Sequence, residues 1–281
     1  MNQKLKSKSF LILLVVLAFL ASQCFAADPK IKKKDFKLSK DFGTELLNLK
    51  IDDETMYVLP RPMIIFQLLS KSDLELGGIV EVNTETRYLS ETTKALNLGA
   101  RCADGISLMY GSPTKEQQRD LGVTLMKLTK SLELTRGLEK EINELQQTLK
   151  DNNQKEAEKK IDDIFASAEI LFNQRKNKHL AVSVSLGGWI EALYISTSSL
   201  MKNYDADASK VLTQGNVIEV YIRSLDSMKD LVASQPVLKK IAAQLPKIKG
   251  LVTTDDEPIT RETIAQLHQI AQELKKAVES N

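Results

Sequence analysis

Leu180-Ala181-Val182-Ser183-Val184-Ser185-Leu186-Gly187-Gly188-Trp189-Ile190-Glu191-Ala192-Leu193-Tyr194-Ile195-Ser196-Thr197-Ser198-Ser199-Leu200 is the least polar stretch after the N-terminal leader. It holds the only Trp of the chain, the pair Gly187-Gly188 and a single charge, Glu191. As a helix it would be about 30 Å long at ~1.5 Å per residue, enough to run through a domain. Val182, Val184 and Leu186 alternate with small or polar residues, so a strand competes locally over Ala181 to Leu186. Amphipathic helical segments on both sides favour helix. The stretch therefore reads as a central helix around which others pack.

The flanking segments carry one-sided apolar stripes at spacings of three and four. Ala95, Leu98, Cys102, Ile106 and Met109 form the first, with Asn83 or Thr84 as its cap and Glu85 in its first turn. A further helix capped by Ser112 or Thr114 presents Leu121, Leu125, Leu128 and Leu132. Gly137 interrupts, and Leu138, Ile142, Leu145 and Leu149 resume the pattern, as a kinked helix or as two helices. Asp151-Asn152-Asn153 is a turn, after which Ala157, Ile161, Ile164, Ala168 and Leu171 close an antiparallel hairpin. Beyond the central stretch, Ile218, Tyr221, Leu225, Met228 and Val232 form one stripe. Pro236 and Pro246 bracket a short helix over Val237 to Leu245. Thr260 caps the last helix, whose face is Ile264, Leu267, Ala271, Leu274 and Val278. The expected architecture is all-α: a single-domain helical bundle of about eight helices over residues 60–281.

Two segments precede that domain. Residues 1–26 have the layout of a secretory signal peptide: Lys4, Lys6 and Lys8, then the apolar run Phe10 to Leu20, then Cys24-Phe25-Ala26 as a small-x-small cleavage site. Two rival readings are an uncleaved anchor and a lipoprotein signal with Cys24 lipidated. The second needs a small residue before the cysteine, where Gln23 stands. Residues 27–59 are an arm, basic in its first part, with Lys30, Lys32, Lys33, Lys34, Lys37 and Lys40. The expected location is periplasmic or secreted, with no transmembrane span in the mature chain. Loss of the leader leaves 36 basic against 37 acidic residues. Such a mixed, near-neutral chain gives no electrostatic case for nucleic acid, which calls for a basic face. With Cys24 removed, Cys102 is alone, so no intrachain disulfide is expected. Aromatics make up only 5% of the chain, which leaves a core of Leu, Ile, Val and Ala and suits helices.

Chemistry-bearing motifs are sparse. The two histidines, His179 and His268, lack a Glu three residues before them, so the di-iron bundle pattern is not met. There is no His-Glu-x-x-His, no Gly-x-Ser-x-Gly elbow and no phosphate-binding Gly-rich loop ending in Lys-Ser/Thr. No catalytic residue, metal site or cofactor is expected. The carboxylate pairs Asp52-Asp53, Asp162-Asp163 and Asp255-Asp256 sit among polar residues and read as solvated turns. Isolated charges on apolar helices are more informative. Arg101 and Asp104 lie three apart and can meet along one helix face. Glu191 must sit at an edge or find a partner, such as Arg101 or a tyrosine, because an unpaired buried charge is costly. Arg101, Asp104, Trp189, Glu191 and Tyr194 are therefore the candidate ligand-binding residues, and a structural polar pair is the competing reading. Gly187-Gly188 reads as a close helix crossing, since a missing Cβ lets another backbone approach.

Lys94-Ala95-Leu96-Asn97-Leu98-Gly99-Ala100-Arg101-Cys102-Ala103-Asp104 and Gly187-Gly188-Trp189-Ile190-Glu191-Ala192-Leu193-Tyr194 resemble the two signature stretches of an uncharacterised family. Its members are exported all-helical proteins of Gram-negative bacteria, best represented in Bacteroidetes. The likeness extends loosely over Pro60 to Leu231. It implies an all-helical fold and an exported location, and it brings no activity with it. The functional expectation is a non-enzymatic binding or scaffold protein of the cell envelope, its partner an envelope protein. The alternative is a periplasmic carrier of a small apolar molecule or lipid, with a pocket near Trp189.

Overall fold

A computed structural model describes residues 62–70, 72, 74–111, 114–138, 144, 154–252 and 257–280. The leader, the basic arm, Asp52-Asp53, Asp151 to Asn153, Asp255-Asp256 and the stripe beyond Leu138 lie outside them. The described helices of six residues or more are α1 (Pro62–Leu69), α2 (Glu91–Met109), α3 (Lys115–Ser131), α4 (Gln154–Gln174) and α5 (Lys178–Lys202). They continue with α6 (Gly215–Asp226), α7 (Lys229–Ser234), α8 (Pro236–Leu251) and α9 (Arg261–Glu279). Short 3-10 or α turns join some of them, and no strand occurs among the described residues.

The molecule is an all-α bundle built around α5. Every residue from Leu180 to Leu200 is buried except Tyr194 and Ser198, which are half-buried. The alternation over Ala181 to Leu186 therefore carries no strand; all six residues are buried on a helix enclosed on every side. Length and composition alone would let α5 cross a membrane, but 94% of its most apolar window is covered by protein. Its hydroxyls are tolerated because they are bonded. Ser183 Oγ donates to the His179 carbonyl at 2.7 Å, Ser196 Oγ to Ala192 at 2.6 Å and Thr197 Oγ1 to Leu193 at 2.7 Å. These bonds to the preceding turn satisfy the hydroxyls without any other element.

The most extensive pairing in the bundle is α2 against α5. Its closeness depends on glycines. A Cβ on Gly187 would run into the Leu96 carbonyl, and one on Gly99 into the Val184 carbonyl, 2.8 Å from the Gly188 nitrogen. The close crossing expected at Gly187-Gly188 is present, and Gly99 is its counterpart on α2. α9 packs along α5, α3 along α2, α4 on α5, and α8 joins α6 to α9. The α9 stripe Ile264, Leu267, Ala271, Leu274 and Val278 is buried throughout. Each such aliphatic side chain contributes roughly 1.5–3 kcal/mol on leaving water.

Several boundaries differ from the sequence expectations. α2 starts later, at Glu91, with Ser90 Oγ accepting from the Thr93 N–H at 3.0 Å. Asn83 and Glu85 are engaged in local turns instead: Asn83 Oδ1 accepts from the Glu85 N–H, and Glu85 Oε1 from those of Thr86 and Arg87. α3 is capped by Thr114 in a reciprocal box with Gln117. It ends before Gly137, because Glu133 adopts a left-handed φ of 58°. The stripe through Val232 is split between α6 and α7. α8 runs through Pro246 to Leu251. Proline inside a helix costs about 3 kcal/mol. Leu245 and Ile248, both fully buried, supply apolar burial that opposes that cost.

Candidate functional site

The α2–α5 crossing and the last two turns of α9 bring five charged side chains together. α2 supplies Arg101 and Asp104, α5 supplies Glu191, and α9 supplies Lys275 and Glu279. Arg101 is 1% exposed, Asp104 0% and Glu191 2%. Lys275 Nζ donates to both Glu191 carboxylate oxygens at 2.7 Å and to Glu279 Oε1 at 3.0 Å. Arg101 Nη2 donates to Glu279 Oε1 at 2.8 Å and stands 3.7 Å from Glu191 Oε2. Arg101 Nη1 donates to the Asn83 carbonyl at 3.3 Å.

Asp104 is the exception in this network. Arg101 Nε stands 2.8 Å from Asp104 Oδ2, but its N–H is not aimed at that oxygen. Among the described residues, neither Asp104 oxygen has a hydrogen-bond donor. The Asp104 and Glu191 carboxyls share the Arg101 guanidinium: Asp104 Oδ2 stands 2.8 Å from Nε and Glu191 Oε2 3.7 Å from Nη2. Burial pushes its pKa well above the usual aspartate range; Arg101 opposes the shift and the nearby Glu191 charge adds to it. Around it, burial works against the charge of Arg101 and Lys275, but the surrounding carboxylates outweigh it and hold both pKa values up. Burial likewise disfavours the Glu279 carboxylate, and Lys275 and Arg101 overcome it and hold its pKa down. That help is needed, because a negative charge on the last residue of a helix opposes the helix dipole.

The same end of α9 is tied to α2 by a neutral contact. Asn97 Nδ2 donates to the Val278 carbonyl at 2.6 Å, and Tyr88 Oη donates to Asn97 Oδ1 at 2.9 Å. Helix carbonyls in a last turn have no partner within their own helix, so Asn97 serves as a cap supplied by another element.

Of the five residues singled out from the sequence, the structure joins Arg101, Asp104 and Glu191 directly. Tyr194 borders them: Lys275 Nζ lies 5.2 Å from its ring centroid, and its ring stacks on His268 at 5.5 Å. Trp189 belongs to a different set of contacts. Its indole N–H donates to Gln214 Oε1 at 3.2 Å, and its ring lies 5.5 Å from that of Tyr221 on α6. Two positions apart on a helix is about 200° of rotation, so Trp189 and Glu191 face opposite ways. The sequence reading missed Lys275 and Glu279. Their only signal is an i,i+4 Lys/Glu pair beside the α9 stripe, the same signal an exposed pair would give.

The remaining chemistry-bearing groups are quiet. Cys102 is half-buried beside Asp104, with burial pushing its thiol up to about 12. His268 Nδ1 lies 3.2 Å from Thr197 Oγ1. No group of three or more His, Cys, Asp or Glu side chains is arranged to hold a metal ion among the described residues. In comparisons with protein-family models, curated proteins and solved structures, the chain has no significant match.

Proposed function

We propose that the chain is an exported, non-enzymatic binding or scaffold protein of the cell envelope, of the kind its two signature stretches resemble. The observation that carries the reading is the use to which the candidate binding residues are put. Of the candidates, Arg101 and Glu191 pair with Lys275 and Glu279 of α9, and Trp189 bonds to Gln214. Groups spent in this way hold helices together, so a partner would be met on the outer helix faces. The leader over residues 1–26 supports export. The carrier reading would require Trp189 to give up its bond to Gln214 for a ligand.

The test is expression of the full chain in a Gram-negative host, with fractionation and in-cell crosslinking. The expected result is a mature N-terminus at Ala27 in the periplasmic fraction and a crosslinked envelope component that re-forms a stoichiometric complex when purified. Turnover of a small molecule by the isolated protein, with no such complex, would overturn the reading.

A further inference from the structure

We propose that Asp104 keeps a proton in the folded protein and donates it to Glu191, so that the five-residue cluster is a neutral, proton-bearing latch clamping α9 to α2 and α5. Among the described residues, three carboxyl groups converge with only two cations, Arg101 and Lys275. With all three ionised, the buried cluster would carry one uncompensated negative charge. Lys275 and Glu279 keep some exposure, but Asp104 itself is 0% exposed, and a carboxyl so removed from water takes up a proton rather than bear that cost.

The geometry places the missing proton. Lys275 commits its Nζ to both Glu191 oxygens and to Glu279. Arg101 commits Nη2 to Glu279 and Nη1 to the Asn83 carbonyl. Asp104, fully buried, is the carboxyl with no hydrogen-bond donor on either oxygen among the described residues. With the Glu191 carboxylate on the same guanidinium, it can be satisfied if it supplies the hydrogen itself. The charged and titratable groups around it are Arg101 and Cys102 from α2, Glu191 from α5, Lys275 and Glu279 from α9, and beyond them Tyr88 and Glu85 from the preceding segment. Among these only Arg101 and Lys275 are cations; Lys275 is engaged, and the one unpartnered donor of Arg101, Nε, stands 2.8 Å from Asp104 Oδ2 without its N–H aimed at it.

A proton bound more tightly in the folded state than in the unfolded state makes stability fall as pH rises. The window opens near the ordinary aspartate value of about 3.9 and closes at the raised folded value. Within it, each pH unit lowers the folding equilibrium constant by up to about tenfold through this one group. Asn at position 104 would mimic the protonated acid, offering an N–H to Glu191 with no proton to lose.

The experiment compares the wild-type mature chain with Asp104→Asn by urea unfolding across that pH range, together with infrared spectra of the wild type. The expected result is a protonated-carboxyl C=O stretch at neutral pH that is lost in the variant. The variant's folding constant should gain on the wild type as pH rises, by up to about tenfold per unit inside the window. An Asp104→Asn variant that is less stable at neutral pH, with no protonated-carboxyl band in the wild type, would overturn the proposal and make Asp104 an ionised partner of Arg101. If the variant does not fold, pH titration of wild-type protein with ¹³C-labelled Asp decides alone. An Asp104 carboxyl carbon already in its ionised position at pH 7 sinks the proposal, and a protonated position upholds it.

Discussion

Lys275 joins Glu191 to Glu279 while remaining only 15% exposed at its side chain. Breaking a buried pair by removing one partner typically costs 3–5 kcal/mol, because the other charge is left uncompensated. Lys275→Met should therefore destabilise the protein by about 3–5 kcal/mol in urea unfolding, far more than an exposed lysine would. Glu279 has the opposite pH behaviour to Asp104. Its folded pKa is depressed, so its contribution is fully present above the ordinary glutamate value and is lost as pH falls through the folded value. Glu279→Gln should be less stable than wild type at pH 7, and the gap should close on acidification below about 4. At this scale the sequence was half informative. Glu191 was conspicuous as the lone charge in an apolar stretch, and Arg101 and Asp104 as an i,i+3 pair between apolar neighbours. Lys275 and Glu279 were not, because burial of the flank of α9 is decided by what packs on it and not by its own pattern.

Among the elements, the α2–α5 crossing is held by the absence of side chains. Gly187→Ala would drive a methyl into the Leu96 carbonyl, a backbone atom that cannot rotate away. The helices would have to separate, and overpacking of this kind costs about 1–3 kcal/mol or more. Gly250, also helical, meets nothing within 4 Å of an added Cβ. Gly250→Ala should stabilise by roughly 0.5–1 kcal/mol through helix propensity, so the pair of variants should move the unfolding midpoint in opposite directions. Gly187-Gly188 could be read as a crossing because two adjacent glycines in an apolar helix have few other uses. Gly99 could not, since a lone glycine in a helical stripe has many. Pro246 misled for a related reason. A local breaker signal was outweighed by long-range burial of Leu245 and Ile248, which no window around the proline contains.

For the whole molecule, the stripes and the apolar stretch made the all-α bundle around a central helix legible. The packing partners were less so, because amphipathic faces state that a helix is buried and not against what. The antiparallel hairpin expected around residues 121–171 falls partly outside the described residues; among those described, α3 packs on α2 and α4 on α5. The charged cluster is where three helices distant in sequence meet, and it ties the last turn of α9 into the core. The central claim is that these charges hold the bundle together and are not kept for a ligand. A double-mutant cycle on Glu191→Gln and Lys275→Met, read by urea unfolding at the buried Trp189, tests this most directly. The account predicts single-variant losses of several kcal/mol and a double variant well short of their sum, with a coupling of about 0.5–3 kcal/mol. Near-neutral single variants that simply add, each within about 0.5 kcal/mol of wild type as at a solvated surface, would contradict it.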